Sequence, residues 1–234
     1  MRKIMLLNAK GGCGKSTIAT NLASYYASKG HSVYLADFDP QESSLSWLAA
    51  RPKDRPAIGG VSGWHGLLEV PRNTEYLIMD APAAVHGPEL TGLVRRAQTI
   101  IIPVLPSPTD MRAASRFALE LLKLRRITGK KVKLAAVANR VRETTFIQKL
   151  TEGLFGGMGY SSDTTDLNNA LSRFLRRFRA PFIATLRDSV NYPVADQQGI
   201  GIFELYHSGV VHDIAQWEPL LRWLDSKRSL PVTR

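Results

Sequence analysis

A glycine-rich loop occupies residues 10–17, where the sequence reads KGGCGKST. The apolar run IMLLN (4–8) precedes it, and an amphipathic segment (16–30) follows it and ends at a glycine. This order, in which a strand is followed by a glycine turn and then by the start of a helix, is the context in which GK[ST] forms a phosphate-binding loop, or P-loop. The glycines let successive backbone N–H groups point at phosphate oxygens, and the helix adds its positive N-terminal end. The alternative is a glycine-rich turn that binds nothing.

Side chains of this loop predict separate roles in binding a nucleotide. Lys15 is placed to reach the β- and γ-phosphates, and the Ser16 hydroxyl is placed to ligate Mg²⁺. The ordinary motif has a further glycine where this chain has Ala9, and a second lysine, Lys10, follows it. Lys10 could fold back on its own nucleotide or cross a dimer interface. The other loop residues predicted to bind the nucleotide are Gly11, Gly12, Cys13, Gly14 and Thr17.

The rest of the chain alternates short apolar runs with longer amphipathic segments. Continuously apolar runs are typical of parallel strands that helices cover on both faces. Further strands are predicted at 31–39, 75–82, 99–106, 132–139 and 181–186. Helices are predicted at about 86–97, 110–128, 144–154 and 166–179, and surface loops at 51–60 and 156–163. The pattern predicts one α/β domain over residues 1–234, a doubly wound, mostly parallel sheet with helices on both faces, as in P-loop NTPases.

Composition narrows the class of protein. With 44% hydrophobic and 22% charged residues, the 234-residue chain has a globular composition and can bury a full core. Its single cysteine excludes an internal disulfide framework and any cluster that needs several thiolates from one chain. The N-terminal apolar run is too short for a signal peptide or a membrane span, so we expect a cytoplasmic protein.

Two further motifs stand at the ends of predicted strands. Residues 37–41 read DFDPQ, and residues 76–82 read YLIMDAP. With the loop at 10–17, they resemble three motifs of the ParA/MinD family of partition and positioning ATPases. The loop resembles the deviant Walker A motif, and residues 37–41 resemble the switch I stretch D-x-D-P-Q. Residues 76–82 resemble the Walker B strand followed by the switch II motif D-x-P. The order and spacing fit over most of the chain. The likeness is greatest to short ParA proteins, which lack an N-terminal helix-turn-helix domain.

The resemblance implies ATP and Mg²⁺ as cofactors, with a weak basal ATPase rate. Asp80 would hold Mg²⁺ through water, Asp39 would lie by the metal and orient the attacking water, and Asp37 would lie just outside the metal ligands. Each acid alone could be a helix cap or a solvated loop residue, but three acids at consecutive strand ends favour a phosphoryl-transfer site. Lys10 would reach across a nucleotide-sandwich dimer to the partner's ATP and act in catalysis with Lys15, much as an arginine finger does.

Two other loops have more than one interpretation. By the resemblance, Asn139 would touch the adenine base, and the alternative is a turn asparagine. Residues 106–110, which read PSPTD, resemble the P-S-x-x-D loop that precedes a helix in the family. There Thr109 or Asp110 could simply cap that helix.

Positive charge is concentrated in one part of the chain. Residues 112–179 contain fifteen Lys and Arg against five Asp and Glu, which gives +10 of the net +11, and the runs 125–133 and 173–179 supply much of it. This concentration of charge favours contact with nucleic-acid phosphates. No base-reading motif is visible, so we expect no sequence preference. The alternative is a basic face that contacts only solvent. The resemblance implies nonspecific DNA binding, with Arg187 and then Arg222 as expected contacts.

An apolar stripe near the C-terminus bears on membrane binding. Trp217, Leu220, Leu221 and Leu224 have helical spacing, and we interpret them as one face of a closing helix packed on the sheet. The following tail has too few large aliphatics for the amphipathic helix that MinD-like membrane targeting requires, so no membrane partner is expected. Cys13 in an electropositive loop could have a redox role.

These observations predict an ATP-dependent partition or positioning ATPase. Its ATP-bound homodimer would bind nonspecific DNA in the nucleoid, and a ParB-like or other cargo adaptor would stimulate hydrolysis. The cargo could be a plasmid, a chromosomal locus, or a protein assembly such as a carboxysome or a chemoreceptor cluster. The alternatives are a MinD-like membrane-cycling regulator, a P-loop kinase or synthetase acting on a small metabolite, and a nucleotide-gated scaffold with negligible hydrolysis.

Overall fold

The computed structural model describes residues 1–63, 68–129, 132–142 and 180–231. The helices predicted at 144–154 and 166–179, the loop predicted at 156–163, and the basic run at 173–179 lie outside these ranges.

Seven strands in the described part of the chain form one sheet. They are β1 (Arg2–Leu6), β2 (Val33–Asp37), β3 (Gly59–Ser62), β4 (Tyr76–Asp80), β5 (Thr99–Val104), β6 (Lys133–Val141) and β7 (Phe182–Arg187). Their order across the sheet is β3-β2-β4-β1-β5-β6-β7, and every pairing is parallel. From the central β1 the chain winds first toward β3 and then, after β4, toward β7. The predicted doubly wound α/β fold is confirmed.

Helices cover both faces of the sheet. They are α1 (Lys15–Ser28), α2 (Ser43–Ala49), α3 (Gly87–Arg96), α4 (Pro108–Thr128), α5 (Asn191–Gln197) and α6 (Val211–Asp225). Alternate side chains of β1 enter two separate cores: Met5 packs with α3 and α4, whereas Ile4 packs with α1, α2, α5 and α6. This arrangement explains why the inner strands of the sheet are continuously apolar, since both of their faces are mostly buried.

The C-terminal apolar stripe belongs to the core. Trp217, Leu220 and Leu224 of α6 are buried against α1 and the sheet, so the interpretation as a closing helix is confirmed. Burying three such side chains contributes several kcal/mol, at about 1.5–3 kcal/mol each. Within the described ranges, no helix is long and apolar enough to cross a membrane.

Three elements differ from the sequence predictions. The predicted loop at 51–60 contains the start of β3, and neither α2 nor α5 was predicted. In β3 the glycines are required by packing, because a Cβ on Gly59 would lie 2.3 Å from the Tyr34 ring and one on Gly60 would lie 2.5 Å from Leu48. Glycines that indicate a turn in the sequence therefore serve an edge strand in the fold.

Candidate nucleotide-binding site

The glycine-rich loop turns sharply between β1 and α1. Gly12 and Gly14 have positive φ angles of 71° and 90°, which glycine adopts without steric cost. Gly14 directly precedes α1, and among the described residues no side chain caps this helix. The N–H groups of its first turn therefore remain available to an anion, which the helix dipole also favours.

Two asparagines hold the loop in place. Asn8 is buried and accepts a hydrogen bond from the Lys10 N–H at 3.3 Å. Asn139 is also buried and donates from Nδ2 to the Cys13 carbonyl at 2.9 Å. A Cβ on Gly14 would lie 2.1 Å from the same amide nitrogen, so this contact requires glycine at that position. The loop is therefore shaped before any ligand binds.

A cavity of about 780 Å³ opens at the carboxyl ends of the strands, between the loop and the segment that follows β7. This volume is in the range of small-molecule sites, and the location is where open α/β sheets bind ligands. The predicted site residues that line it are Gly11, Gly12, Gly14, Lys15, Ser16, Thr17, Asp39, Asn139 and Arg187. The predicted site residues that do not line it are Lys10, Cys13, Asp37, Asp80 and Arg222.

The position of Asn139 bears on its two interpretations, a turn asparagine and a contact with the adenine base. The residue lies inside β6, which continues to Val141, so the turn interpretation is wrong. Its side chain lines the cavity but commits one donor to the loop backbone. Contact with an adenine base stays a prediction.

Asp80 is the last residue of β4 and is 1% exposed. Among the described residues, neither of its carboxylate oxygens has a hydrogen-bond partner. Burial raises the pKa of Asp80 to about 7; the nearby Ser16 hydroxyl and Lys15 ammonium lower it, whereas the Asp37 charge raises it further. An unpartnered buried carboxylate destabilises a fold unless a ligand compensates it.

These residues fit a magnesium ion. Mg²⁺ prefers oxygen ligands and keeps several waters, so it is usually bound through one or two protein groups and substrate phosphates. The Asp80 carboxylate and the Ser16 hydroxyl supply oxygen donors of this kind. The described residues contain no cluster of three or more acidic, histidine or cysteine side chains suited to a metal. The Asp80 and Ser16 oxygens therefore suit a cation that takes its remaining ligands from water and phosphate.

Asp37 organises the loop that carries Asp39. Its Oδ2 accepts hydrogen bonds from the Ser44 N–H at 2.9 Å and the Ser44 hydroxyl at 2.7 Å, and its Oδ1 accepts from the Asp39 N–H at 2.9 Å. These bonds tie the end of β2 to the first turn of α2. Asp39 itself lines the cavity and accepts from the Gln41 N–H at 3.0 Å. Asp37 is thus placed to shape this loop rather than to face the nucleotide.

The two loop lysines point in different directions. Lys15 is buried, lines the cavity, and lies with Nζ 3.3 Å from the Lys10 carbonyl. Lys10 lies outside the cavity lining, and its Nζ is 2.6 Å from Oδ1 of Asp110 at the start of α4. In this structure Lys10 neither folds back into its own cavity nor is left without a partner. Its predicted catalytic role in a dimer stays a prediction.

A polar network behind the cavity fixes the wall after β7. Asp213 of α6 is fully buried, forms an ion pair with Arg187, and accepts hydrogen bonds from Ser189 at 2.8 Å and from Asn191. Arg187 and Ser189 both line the cavity. Substitution of Arg187 would therefore disturb this wall as well as any DNA contact, and the contact stays a prediction.

The second residue predicted to contact DNA lies on an open surface. The Arg222 side chain is 75% exposed and forms an i,i+4 ion pair with Glu218 on α6. Surface pairs of this kind contribute little stability, so the guanidinium can exchange partners at low cost.

Sequence reasoning missed three groups of site residues. Asn8 was assigned only to a strand, although a polar residue that ends an apolar run is a usable signal. Tyr192 and Asp196 of α5 line the cavity, but their helix was not predicted. The expectation that Thr109 or Asp110 caps α4 is wrong, because Ser107 is the N-cap, and Asp110 instead holds Lys10.

The fold and the site together define a P-loop nucleotide-binding protein. A family model described as CbiA, the CobQ/CobB/MinD/ParA nucleotide binding domain, matches residues 4–156, which is more than half of the chain. The chain belongs to this family, as the resemblance in the sequence motifs implies.

Two named relatives differ in how much of the chain they match. The maintenance of carboxysome distribution protein A of Halothiobacillus neapolitanus is 26% identical over 209 residues, which cover 86% of this chain and 87% of that protein. The chromosome-partitioning ATPase Soj of Thermus thermophilus is 51% identical over 51 residues, 22% of this chain and 20% of that protein. The first likeness spans nearly the whole chain, whereas the second is local.

Solved structures share the fold. An ATP complex of a McdA variant from Cyanothece has a TM-score of 0.67 at 16% identity, covering 94% of this chain and 96% of that one. MinD cell division protein of Aquifex aeolicus has a TM-score of 0.64 at 16% identity, covering both chains completely. At these identities the likeness concerns the fold alone.

Proposed function

We propose that the chain is a Mg²⁺-dependent ATPase of the ParA type, whose ATP-bound dimer binds DNA nonspecifically and releases it after hydrolysis. The observation that carries this proposal is the buried, unpartnered carboxylate of Asp80 near Lys15 and Ser16 of the glycine-rich loop. A ligand that brings both phosphates and a divalent cation satisfies these groups together.

The chain's own residues divide the work of phosphoryl transfer. The loop N–H groups and Lys15 bind and neutralise the phosphates, and Ser16 with Asp80 and Asp39 would hold the cation. When bound, Mg²⁺ supplies charge stabilisation on the phosphate oxygens. Asp39, fixed by the Gln41 N–H, is placed at the cavity to orient a water molecule. Asp37 holds that loop in position.

Dimerisation explains the position of Lys10. Its side chain is 41% exposed, lies outside its own cavity, and is paired with Asp110 at the surface around the site. A second copy that faces this surface would bring each Lys10 to the other protomer's nucleotide. Hydrolysis would then depend on the dimer, which gives the low basal rate expected for a switch.

Nonspecific DNA binding is supported by exposed cations on two helices. Arg222 projects from α6, and α4 exposes Arg112, Arg116, Lys123 and Arg126 along one side. Contacts of this kind neutralise phosphates without reading bases, so binding should weaken steeply with salt. Association with the nucleoid follows from such binding.

A protein assembly is the cargo that the relatives favour. The likeness to the carboxysome distribution protein extends over 86% of this chain, whereas the likeness to Soj covers 22%. We therefore propose that a cargo-bound adaptor protein stimulates hydrolysis and that the cargo is a protein compartment or a comparable assembly. Membrane cycling is disfavoured because the apolar face of α6 is buried in the core.

Binding to a random-sequence DNA duplex tests the proposal. Binding is measured without nucleotide, with ADP, and with ATP and Mg²⁺, each at two salt concentrations. The proposal predicts tight, salt-sensitive binding only with ATP and Mg²⁺, weakened in Arg222→Ala but unchanged in the exposed control Lys53→Ala. Absence of DNA binding in every state would contradict it, and turnover that depends on a small acceptor would favour a metabolite kinase or synthetase.

A further inference from the structure

Lys10 of the glycine-rich loop is joined to α4 by an ion pair. Its Nζ lies 2.6 Å from Oδ1 of Asp110, a short contact between full charges. The Asp110 side chain is 14% exposed, so water screens this pair less than a pair on the open surface.

Asp110 is fixed in place by more than its helix position. The Ser107 hydroxyl donates to Oδ2 of Asp110, and the Asp110 N–H donates back to Ser107 Oγ at 3.1 Å. One carboxylate oxygen therefore accepts from Ser107, the N-cap of α4, and the other is directed at Lys10. Burial opposes ionisation, but the hydrogen bonds from Lys10 and Ser107 outweigh it and hold the pKa of Asp110 below its ordinary value.

The backbone of Lys10 is also fixed. Its N–H donates to Asn8 at 3.3 Å, and its carbonyl lies 3.3 Å from Nζ of Lys15. The direction of the Lys10 side chain is thus set by the loop at one end and by Asp110 at the other. Neither Lys10 nor Asp110 lines the nucleotide cavity.

We propose that Asp110 is a positioning residue that holds Lys10 on its own protomer, outside that protomer's cavity, and releases it when Lys10 engages the nucleotide of a second copy. This inference rests on the proposed nucleotide-dependent dimer. The ion pair keeps Lys10 from neutralising its own nucleotide, and it opposes premature dimerisation. Asp110 thereby helps to set the protein concentration at which the ATP-bound dimer forms.

The size of the effect follows from the number of pairs. A partly exposed ion pair typically shifts an equilibrium about two- to fivefold, and a symmetric dimer releases two of them. Removal of the Asp110 charge should therefore tighten dimerisation about four- to twenty-fivefold. The effect should vanish when Lys10 is absent, because Asp110 acts only through that side chain.

The experiment compares Asp110→Asn with the wild type and with Glu120→Gln, a matched change of another acid on α4. Asn keeps the size of Asp and can still bond with Ser107. Sedimentation velocity gives the dimer dissociation constant with a non-hydrolysable ATP analogue and Mg²⁺, in both the Lys10 and the Lys10→Ala backgrounds. Acylation of Lys10 in the nucleotide-free protein, normalised to Lys53 and read by mass spectrometry, reports the ion pair independently. Unfolding midpoints confirm that each variant folds.

The expected result is tighter dimerisation and faster Lys10 acylation in Asp110→Asn, no change in Glu120→Gln, and no effect of Asp110→Asn in the Lys10→Ala background. An equal effect in both backgrounds would show that Asp110 only supports the N-cap Ser107 of α4 and would overturn the inference, as would unchanged or weaker dimerisation. A third outcome is that Lys10 acylation rises in Asp110→Asn but neither the wild type nor any variant dimerises with nucleotide. This outcome would confirm the ion pair and contradict both the proposed function and the role of Asp110 in dimerisation.

Discussion

Asp80 at the end of β4 and Asp213 in α6 are both withdrawn from solvent, with 1% and 0% exposure, but their surroundings differ. Asp213 accepts bonds from Arg187, Ser189 and Asn191, which outweigh the effect of burial and hold its pKa below the ordinary value. Asp80 has no hydrogen-bond partner among the described residues, and burial raises its pKa to about 7. One buried carboxylate is satisfied by the protein, and the other is not.

The comparison distinguishes a carboxylate with a structural role from one with a role in ligand binding. A buried charge with its full set of partners fixes a wall of the cavity and should be needed for stability. A buried charge without partners lowers stability and is maintained where a ligand compensates it. The predictions below test this contrast.

Loss of ATP turnover in Asp80→Asn is the largest expected effect. The amide keeps the size of the side chain but removes the charge that would hold Mg²⁺, so turnover should fall about a thousandfold, as when a principal electrostatic group is removed. Phosphate release is measured with saturating ATP and Mg²⁺. Exposed Asp54→Asn is the control, and turnover within about threefold of wild type in Asp80→Asn would remove Asp80 from the site.

Asp213→Ala should destabilise the fold without any nucleotide. The change leaves the partly buried Arg187 guanidinium without its counter-charge, at a cost of about 2–4 kcal/mol in the free energy of unfolding. Urea unfolding of the wild type, Asp213→Ala and Asp188→Asn, an exposed acid of the same segment, measures the loss. Similar stability of all three proteins would show that the network does not hold the wall.

Asp80→Asn should have the opposite effect on stability. The folded pKa of Asp80, about 7, lies above the ordinary value, so the folded state binds the proton more tightly than the unfolded state. The contribution of Asp80 to wild-type stability should therefore fall as the pH rises from about 4 to 7, and the variant should lack this contribution. Without Mg²⁺ and nucleotide, we expect the variant to be more stable by about 1–3 kcal/mol at pH 8, with no difference near pH 4.

Unfolding of both proteins across this pH range measures the difference. A gap that stays constant with pH would mean that the Asp80 charge is not its cause.

Asn139→Ala should have the smallest effect. It removes one hydrogen bond to the Cys13 carbonyl, worth about 1 kcal/mol, and loosens the loop. Calorimetry should show ATP binding about fivefold more weakly, and the free energy of unfolding should fall by about 1 kcal/mol. Exposed Asn73→Ala should bind ATP as the wild type does, and equal affinity of Asn139→Ala would show that the loop keeps its shape without this bond.

The sequence alone was sufficient to predict the features that depend on residues close together in the chain. The loop at 10–17 was predicted because its glycines and lysine lie within one turn, and six of the seven described strands were predicted because each contains a short run of mostly apolar residues. β3 was missed because Gly59 and Gly60 are required by the side chains of Tyr34 and Leu48, which are distant in sequence. Long-range packing also decides the position of Asp110, which lies 100 residues beyond Lys10 and meets it only in the fold.

The surroundings of Asp37 and Asp80 add what the motifs alone do not give. Both residues end strands, and the resemblance places Asp80 at the metal and Asp37 just outside the metal ligands. Only the fold shows that Asp37 is bonded to Ser44 and Asp39, whereas Asp80 is left without partners among the described residues. The role of a carboxylate therefore depends on its neighbours rather than on its motif.

The unfolding midpoint of the wild type against ATP concentration, with Mg²⁺ and with EDTA, tests the proposed Mg²⁺–ATP site at Asp80. A ligand that binds only the folded state raises the midpoint as its concentration rises. We predict a clear rise with ATP and Mg²⁺, a smaller rise with ATP and EDTA, and no effect of Mg²⁺ on ATP binding in Asp80→Asn. A midpoint that ATP does not change, or changes equally with Mg²⁺ and with EDTA in the wild type, would contradict this site.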